Sequence, residues 1–306
     1  MTVARPESAD TTWEVVVTAG AELGERPVWD HLRSCLVWVD INAGRLHRYR
    51  PGEGNELILE LAGDGQPIAI GAAAPRRGGG YVLAAADGFR LTGPDGELAA
   101  GPLRPPGMGA GIRFNDGACD PAGRFWAGTV AADRRAGAGA LYRLDASLTI
   151  TTMLTGVTES NGLGWSPDGT LFYYIDSGEP EPRIRVFGFD PATGELGESR
   201  DLVNFPGDGV VPDGLVVDAA GCLWVALWGG SAVHRYSPGG ALLAEFPLPV
   251  SQPTCPAFGG PGLADLYVTT AWEGMDDDER SGQPLAGHLL LSHPGTTGQR
   301  APSFAG

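Results

Sequence analysis

The stretch NGLGWSPDGTLFYY (161–174) decides the fold, because the chain contains it more than once. NDGACDPAGRFWAG (115–128) and DGLVVDAAGCLWVA (213–226) align with it without gaps. Each begins with Asn or Asp and carries Asp or Ser five residues on. Glycine follows at Gly123, Gly169 and Gly221, and then an apolar or aromatic run. A looser copy, ERPVWDHLRSCLVWVD, starts at Glu25 and has Asp30 five residues on. IGAAAPRRGGGYVLAA from Ile70 and TCPAFGGPGLADLYVTT from Thr254 bring the set to six, with starts 41 to 52 residues apart. Self-similarity at such a period is the mark of a repeat architecture.

Each unit reads as strand, tight turn, strand. SPDG (166–169) has Pro and Gly where turn geometry favours them. Between the units lie RLHRY (45–49), ALYRLD (140–145), RIRVFGFD (183–190) and AVHRYS (232–237), which alternate apolar and polar residues as half-buried strands do. About four strands per unit is the count of a propeller blade. The expectation is an all-β, six-bladed β-propeller forming one domain over 13–306, behind a flexible tail at 1–12. GMDDDERSGQPLAG (274–287) reads as a surface loop or one short helix.

Composition agrees. Gly at 48 and Pro at 25 among 306 residues favour turns and short strands over long helices. A net charge of −16 with no basic block argues against nucleic acid and against an anionic membrane as partners. The first residues have no apolar signal-peptide core and no run could span a bilayer, so the expected location is the cytoplasm. Cys35, Cys119, Cys222 and Cys255 lie far apart without a CxxC pair and are expected as buried free thiols.

In a propeller, equivalent positions of successive blades face one channel. The first position of the six repeats is Glu25, Ile70, Asn115, Asn161, Asp213 and Thr254. Glu25, Asn115, Asn161 and Asp213 can each offer a hard oxygen to Ca2+, Mg2+ or Mn2+, and Zn2+ also accepts carboxylate oxygen. Asn-Gly and Asp-Gly are also ordinary turn pairs. Glu25, however, is no turn former, and the Asn and Asp precede apolar runs, as strands starting at a channel would require. The cation site is therefore preferred to the turn, with Gly162 letting the backbone bend where Asn161 turns inward. Asp116 is expected to cap an NDG turn, and Trp29, Trp126, Trp165 and Trp224 to pack between blades. The histidines form no HxxxH or HxH pair, and no GxSxG elbow, P-loop or GxGxxG opens a helix after a strand.

LGERPVWD (23–30), RFNDGACDPAGRFWAGT (113–129), SNGLGWSPDGTLFYYIDS (160–177), PDGLVVDAAGCLWVA (212–226) and PTCPAFGGPGLADLYVTTA (253–271) resemble the SMP-30/gluconolactonase/luciferin-regenerating-enzyme family, as does the closing QPLAGHLL (283–290). The resemblance covers nearly the whole chain. It implies a six-bladed propeller, one catalytic divalent metal in the channel and hydrolysis of a small-molecule sugar lactone. Carried over by motif, Glu25, Asn161 and Asp213 are the metal ligands, and Arg113 and Asn115 bind substrate. Ca2+ is the first candidate for the ion. Arg26 departs from the small residue frequent in relatives, so it either narrows the channel mouth or points away from it.

The expected reaction is attack of a metal-activated water on an aldonolactone carbonyl. Asp213 serves as catalytic base while touching the metal, because it is one of only two carboxylates in the register. Alternatives are an esterase or organophosphate hydrolase on the same metal, and a non-catalytic propeller whose metal is structural. Substrate choice is assigned to loops 131–138 and 207–211.

Overall fold

The structure is a computed structural model describing residues 7–8, 12–178, 182–205 and 209–306. Six small sheets are arranged in a ring, making a six-bladed β-propeller. In the first blade, Gly24–Asp30 lies innermost and pairs in turn with Cys35–Asp40, Arg45–Arg50 and Gly54–Glu60. The same antiparallel meander starts again from the inner strands Ile70–Pro75, Ile112–Cys119, Ser160–Trp165, Val211–Val217 and Pro253–Gly259. Strands near the channel lie between neighbouring blades and are buried along their length, as in Cys35–Asp40. The outermost strands, such as Gly54–Glu60 and Leu196–Asn204, are polar and largely exposed.

The ring is closed by a pairing the repeat does not announce. The sixth blade takes its outermost strand, Glu14–Val17, from the start of the chain, antiparallel to Leu289–Ser292. Residues 7–8 add a short parallel strand to the fifth blade. The rest of the expected 1–12 tail, apart from residue 12, lies outside the described residues. Within 274–287 there is one short helix, Asp277–Gly282, started by a capping box in which Asp276 and Glu279 each accept the other's backbone N–H.

The core lies between blades, and the four tryptophans are in it as expected. Trp29 stacks on Tyr267 at 6.1 Å, Trp126 meets Trp165 edge-on at 5.8 Å, and Trp224 meets Phe258 at 5.4 Å. All four cysteines are free and buried. The recurring glycine is required by its backbone: Gly123, Gly169 and Gly221 have φ of 91°, 69° and 81°, a region disfavoured for residues with a Cβ.

Two features position the channel. First, the pairing of every inner strand slips at its start: between Glu25 and Val28, Phe114 and Asp116, Ser160 and Leu163, Pro212 and Leu215, Pro253 and Cys255, and Ile70 and Ala72. A bulge bends a strand and re-aims a side chain. Second, the last residues cross the opposite end of the channel. Thr297 and Gly298 are bound to Ala219 and Leu263. Gln299 Nε2 donates to the carbonyls of Trp165 and Val217, and Phe304 and Ala305 N–H donate to Pro75 and Gly123. This segment ties five blades together where the inner strands end.

Candidate active site

At the starts of the inner strands lies a cavity of about 190 Å³. All five residues singled out from the sequence line it: Glu25, Arg113, Asn115, Asn161 and Asp213. Ile70 instead packs in the core, and Thr254 turns its hydroxyl to the Gly24 carbonyl at 2.6 Å.

A chain of hydrogen bonds orients the amides. Arg113 Nη1 donates to Asn115 Oδ1 at 2.7 Å, and Asn115 Nδ2 donates to Asn161 Oδ1 at 3.0 Å and to the Ser160 carbonyl at 2.9 Å. Asn161 Nδ2 donates to Ser177 Oγ at 2.9 Å, which donates to the Pro212 carbonyl at 2.5 Å. Asn161 Oδ1 thus has one lone pair left, and Asn115 is turned toward Arg113.

The carboxylates are less well provided for. Glu25 is 4% exposed and its pKa is raised to about 8, by burial first and by Asp116 second. Asp213 is 6% exposed and is pushed well above the ordinary range by burial, then by Glu25 and Asp116. Glu25 Oε2 accepts the Arg26 N–H at 2.6 Å. Among the described residues, none donates a hydrogen bond to the Asp213 carboxylate. Burial and mutual repulsion hold both carboxylates above their ordinary pKa, and a cation between them would relieve both. No group of three or more His, Cys, Asp and Glu could hold a metal among the described residues. Asn161 Oδ1, which among the described residues accepts only from Asn115, has a lone pair to serve as a third protein ligand. Two carboxylates and an amide oxygen are the hard donor set a divalent cation takes.

Arg113 is mostly buried, and burial pushes its pKa down against the opposing pull of Glu273 and Glu159. Its Nη1 serves Phe114 O and Asn115 Oδ1. No carboxylate among the described residues pairs with it. Such a guanidinium has donors to spare for a ligand.

The sequence reading singled out none of four further polar cavity residues: Arg134, Glu159, Ser177 and Glu273. Arg134, at φ 50°, extends from the 131–138 loop, so that loop does reach the cavity. Its Nη1 lies 3.2 Å from Glu159 and its Nη2 3.9 Å from Glu273, which also accepts from Asn42 at 2.9 Å. Ser177 closes the quoted stretch 160–177 and Glu159 immediately precedes it; Glu273 has no signal in the repeat. Of the 207–211 loop, Val211 lines the cavity, while 207 and 208 lie outside the described residues.

Two expectations change. Asp116 caps no turn: Asn115, Asp116 and Gly117 all belong to the strand Ile112–Cys119, because the bulge and the neighbouring blades hold them extended. Asp116 is fully buried and faces Arg26 at 3.4 Å. Gly162 is not needed for a bend. A Cβ there would meet Leu215 Cβ at 2.6 Å and the Asp213 carbonyl at 2.7 Å. Its role is to let the fourth and fifth inner strands approach. As for Arg26, it lines a separate cavity of about 350 Å³ beyond the site and not the active-site cavity. It therefore points away from the mouth.

The family model for the SMP-30/gluconolactonase/LRE-like region matches residues 23–272. A 6-deoxy-6-sulfogluconolactonase from Pseudomonas putida is 38% identical over 296 residues, 96% of this chain and 99% of its own. A pentonolactonase from Haloferax volcanii is 38% identical over 88% of this chain and 87% of its own. Among solved structures, a calcium-binding regucalcin from Agrobacterium tumefaciens superposes with a TM-score of 0.86 at 29% identity, over 96% of this chain and 97% of that one.

Proposed function

The chain belongs to the SMP-30/gluconolactonase/LRE-like family, and from that premise we propose that it is a lactonase that opens the ring ester of a sugar lactone with the help of one divalent cation. Relatives that act on sulfogluconolactone and pentonolactone support the substrate class. The observation that carries the reading is the Asp213 carboxylate: buried, unbonded by the described chain, and sharing a cavity with Glu25, the Asn161 amide and Arg113. Glu25, Asn161 and Asp213 would hold the cation. Ca2+ is preferred, because all donors are hard oxygens and a calcium-binding regucalcin is a close structural neighbour; Zn2+, Mn2+ and Mg2+ are the alternatives to test. When bound, the ion supplies Lewis acidity to a carbonyl and makes water more acidic.

The side chains divide the remaining work. Asp213, a cavity carboxylate with no donor from the described chain, accepts the proton of the attacking water. Arg113 donates to ring hydroxyls, Asn115 Oδ1 accepts from one with its remaining lone pair, and together they align the ester, since orientation alone can account for several kcal/mol of a barrier. Arg134 with Glu159 and Glu273 shapes the mouth and contacts the far end of the sugar.

The test is acid release from a panel of hexono- and pentonolactones and simple esters, before and after chelation and with metal restored. Turnover that survives complete chelation removes the cation from the reaction. No turnover on any lactone or ester with metal restored rejects the lactonase itself. Asp213→Ala and Asn161→Ala are expected to lose bound metal; full occupancy in both would reject this ligand set.

A further inference from the structure

Arg26 directly follows the cavity residue Glu25, and its geometry is unusual. Its φ is 40°, a region non-glycine residues rarely occupy. That turn aims its backbone N–H at Glu25 Oε2, 2.6 Å away. The side chain leaves the first blade and crosses the channel. Its Nη1 lies 3.4 Å from both carboxylate oxygens of Asp116 on the third blade and 4.0 Å from Cys255 Sγ on the sixth. Arg26 lines the larger cavity and Glu25 the smaller, so this one residue forms part of the floor between them.

The charges fit a single ion. Glu25, Asp116 and Asp213 are carboxylates buried about the same channel, and Arg26 is the guanidinium that reaches Asp116 at 3.4 Å. With the carboxylates ionised, two negative charges remain, which one divalent cation cancels. The mouth does not alter the count, because Glu159 and Glu273 there stand against Arg113 and Arg134.

We propose that Arg26 is a positioning residue that neutralises Asp116, so that the site accepts one divalent cation and no more. This rests on the reading that Glu25, Asn161 and Asp213 hold that cation. Ca2+, Mn2+ and Zn2+ are titrated calorimetrically into the metal-free full chain, the wild type beside Arg26→Met, Arg26→Lys and the double variant Arg26→Met/Asp116→Asn. Arg26→Met should bind its first ion about tenfold more tightly, from the loss of one nearby positive charge, and exceed one ion per chain. Arg26→Lys should stay within about threefold of wild type, because it keeps the charge. The double variant should return to wild-type affinity and one ion per chain. A folded Arg26→Met that binds no more tightly than wild type overturns the proposal. If Arg26→Met does not fold, Asp116→Asn alone should bind about tenfold more weakly, and unchanged affinity there overturns it equally. A wild type that binds none of the three ions rejects the cation reading itself, whereas binding that ignores both positions rejects only the role of Arg26.

Discussion

Positions one and six of the same repeat both bury acidic oxygens, with opposite surroundings. At position six, Asp218 accepts from the N–H groups of Ala220 and Cys222, from Trp224 Nε1 and from Arg235, all within 3.0 Å. Asp120 is served in the same way by Ala122, Arg124 and Trp126. At position one, Asp213 has no donor among the described residues. A saturated carboxylate is structural, because every lone pair already has a partner within the chain. A buried carboxylate lacking donors is tolerated where something outside the chain completes it. The fourth blade supports the distinction. Ser166 stands at position six there, and the residue six further on is Phe172 instead of tryptophan, with no N–H left to satisfy.

The comparison breaks most visibly if the two aspartates are exchanged in role. Asp213→Asn should lower kcat/KM by about a hundredfold to ten-thousandfold, the usual range for a lost general base. Its stability in chelator should hold or rise, since one of two repelling buried carboxylates is gone. Asp218→Ala should do the reverse. It strands Arg235 and Trp224 Nε1 and should cost about 3–5 kcal/mol, with activity per folded molecule retained. Urea midpoints and kcat/KM on both variants decide it. An Asp213→Asn that unfolds while Asp218→Ala does not would invert the comparison.

Gly162→Ala should cost about 1–3 kcal/mol by overpacking, because its Cβ would press on Leu215 Cβ and the Asp213 carbonyl. The strand it pushes carries Asp213, so metal affinity should fall along with the melting temperature. A loss of stability with unchanged affinity would show the two inner strands to be independent. A smaller effect is expected at the mouth. Arg134→Gln should raise KM about tenfold with kcat nearly unchanged, as for a contact made equally in ground and transition states.

What the sequence made legible follows the same division. Position one could be read because six copies share a register and Glu25 is chemically out of place in a turn. The glycine of each turn could be read because only its backbone geometry explains it. The strand bulges that aim Glu25, Asn115, Asn161 and Asp213 could not, since a bulge depends on pairing across strands. Glu14–Val17 completing the sixth blade and the crossing segment 297–306 are contacts between distant parts of the chain, and neither repeats. Asp116 was misread because NDG is a turn pair locally, while its partner Arg26 lies 90 residues away across the channel. Arg134, Glu159 and Glu273 come from segments between repeats, where no register exists to compare.

A half-buried polar group stands apart from both aspartate positions and sharpens the comparison with the smallest effect. On the first blade, away from the channel, His47 stacks on Trp38 at 4.2 Å, and its Nδ1 lies 3.2 Å from Asn55 Nδ2. Burial, and Arg45 second, lower its pKa from 6.5 to about 4. The folded chain therefore holds the ring neutral where the unfolded chain would charge it. A base whose pKa falls on folding contributes stability above its unfolded value, and that contribution is lost as pH falls from about 6.5 toward 4. Urea midpoints of wild type and His47→Gln should differ more at pH 7 than at pH 4.5. The variant removes only this ring, so general acid loss from the carboxylates cancels in the difference. A gap that is constant with pH would mean that folding leaves the ring's pKa where the unfolded chain has it. His47 would then be a group that takes its partner from solvent, and not one completed by the chain as Asp218 is.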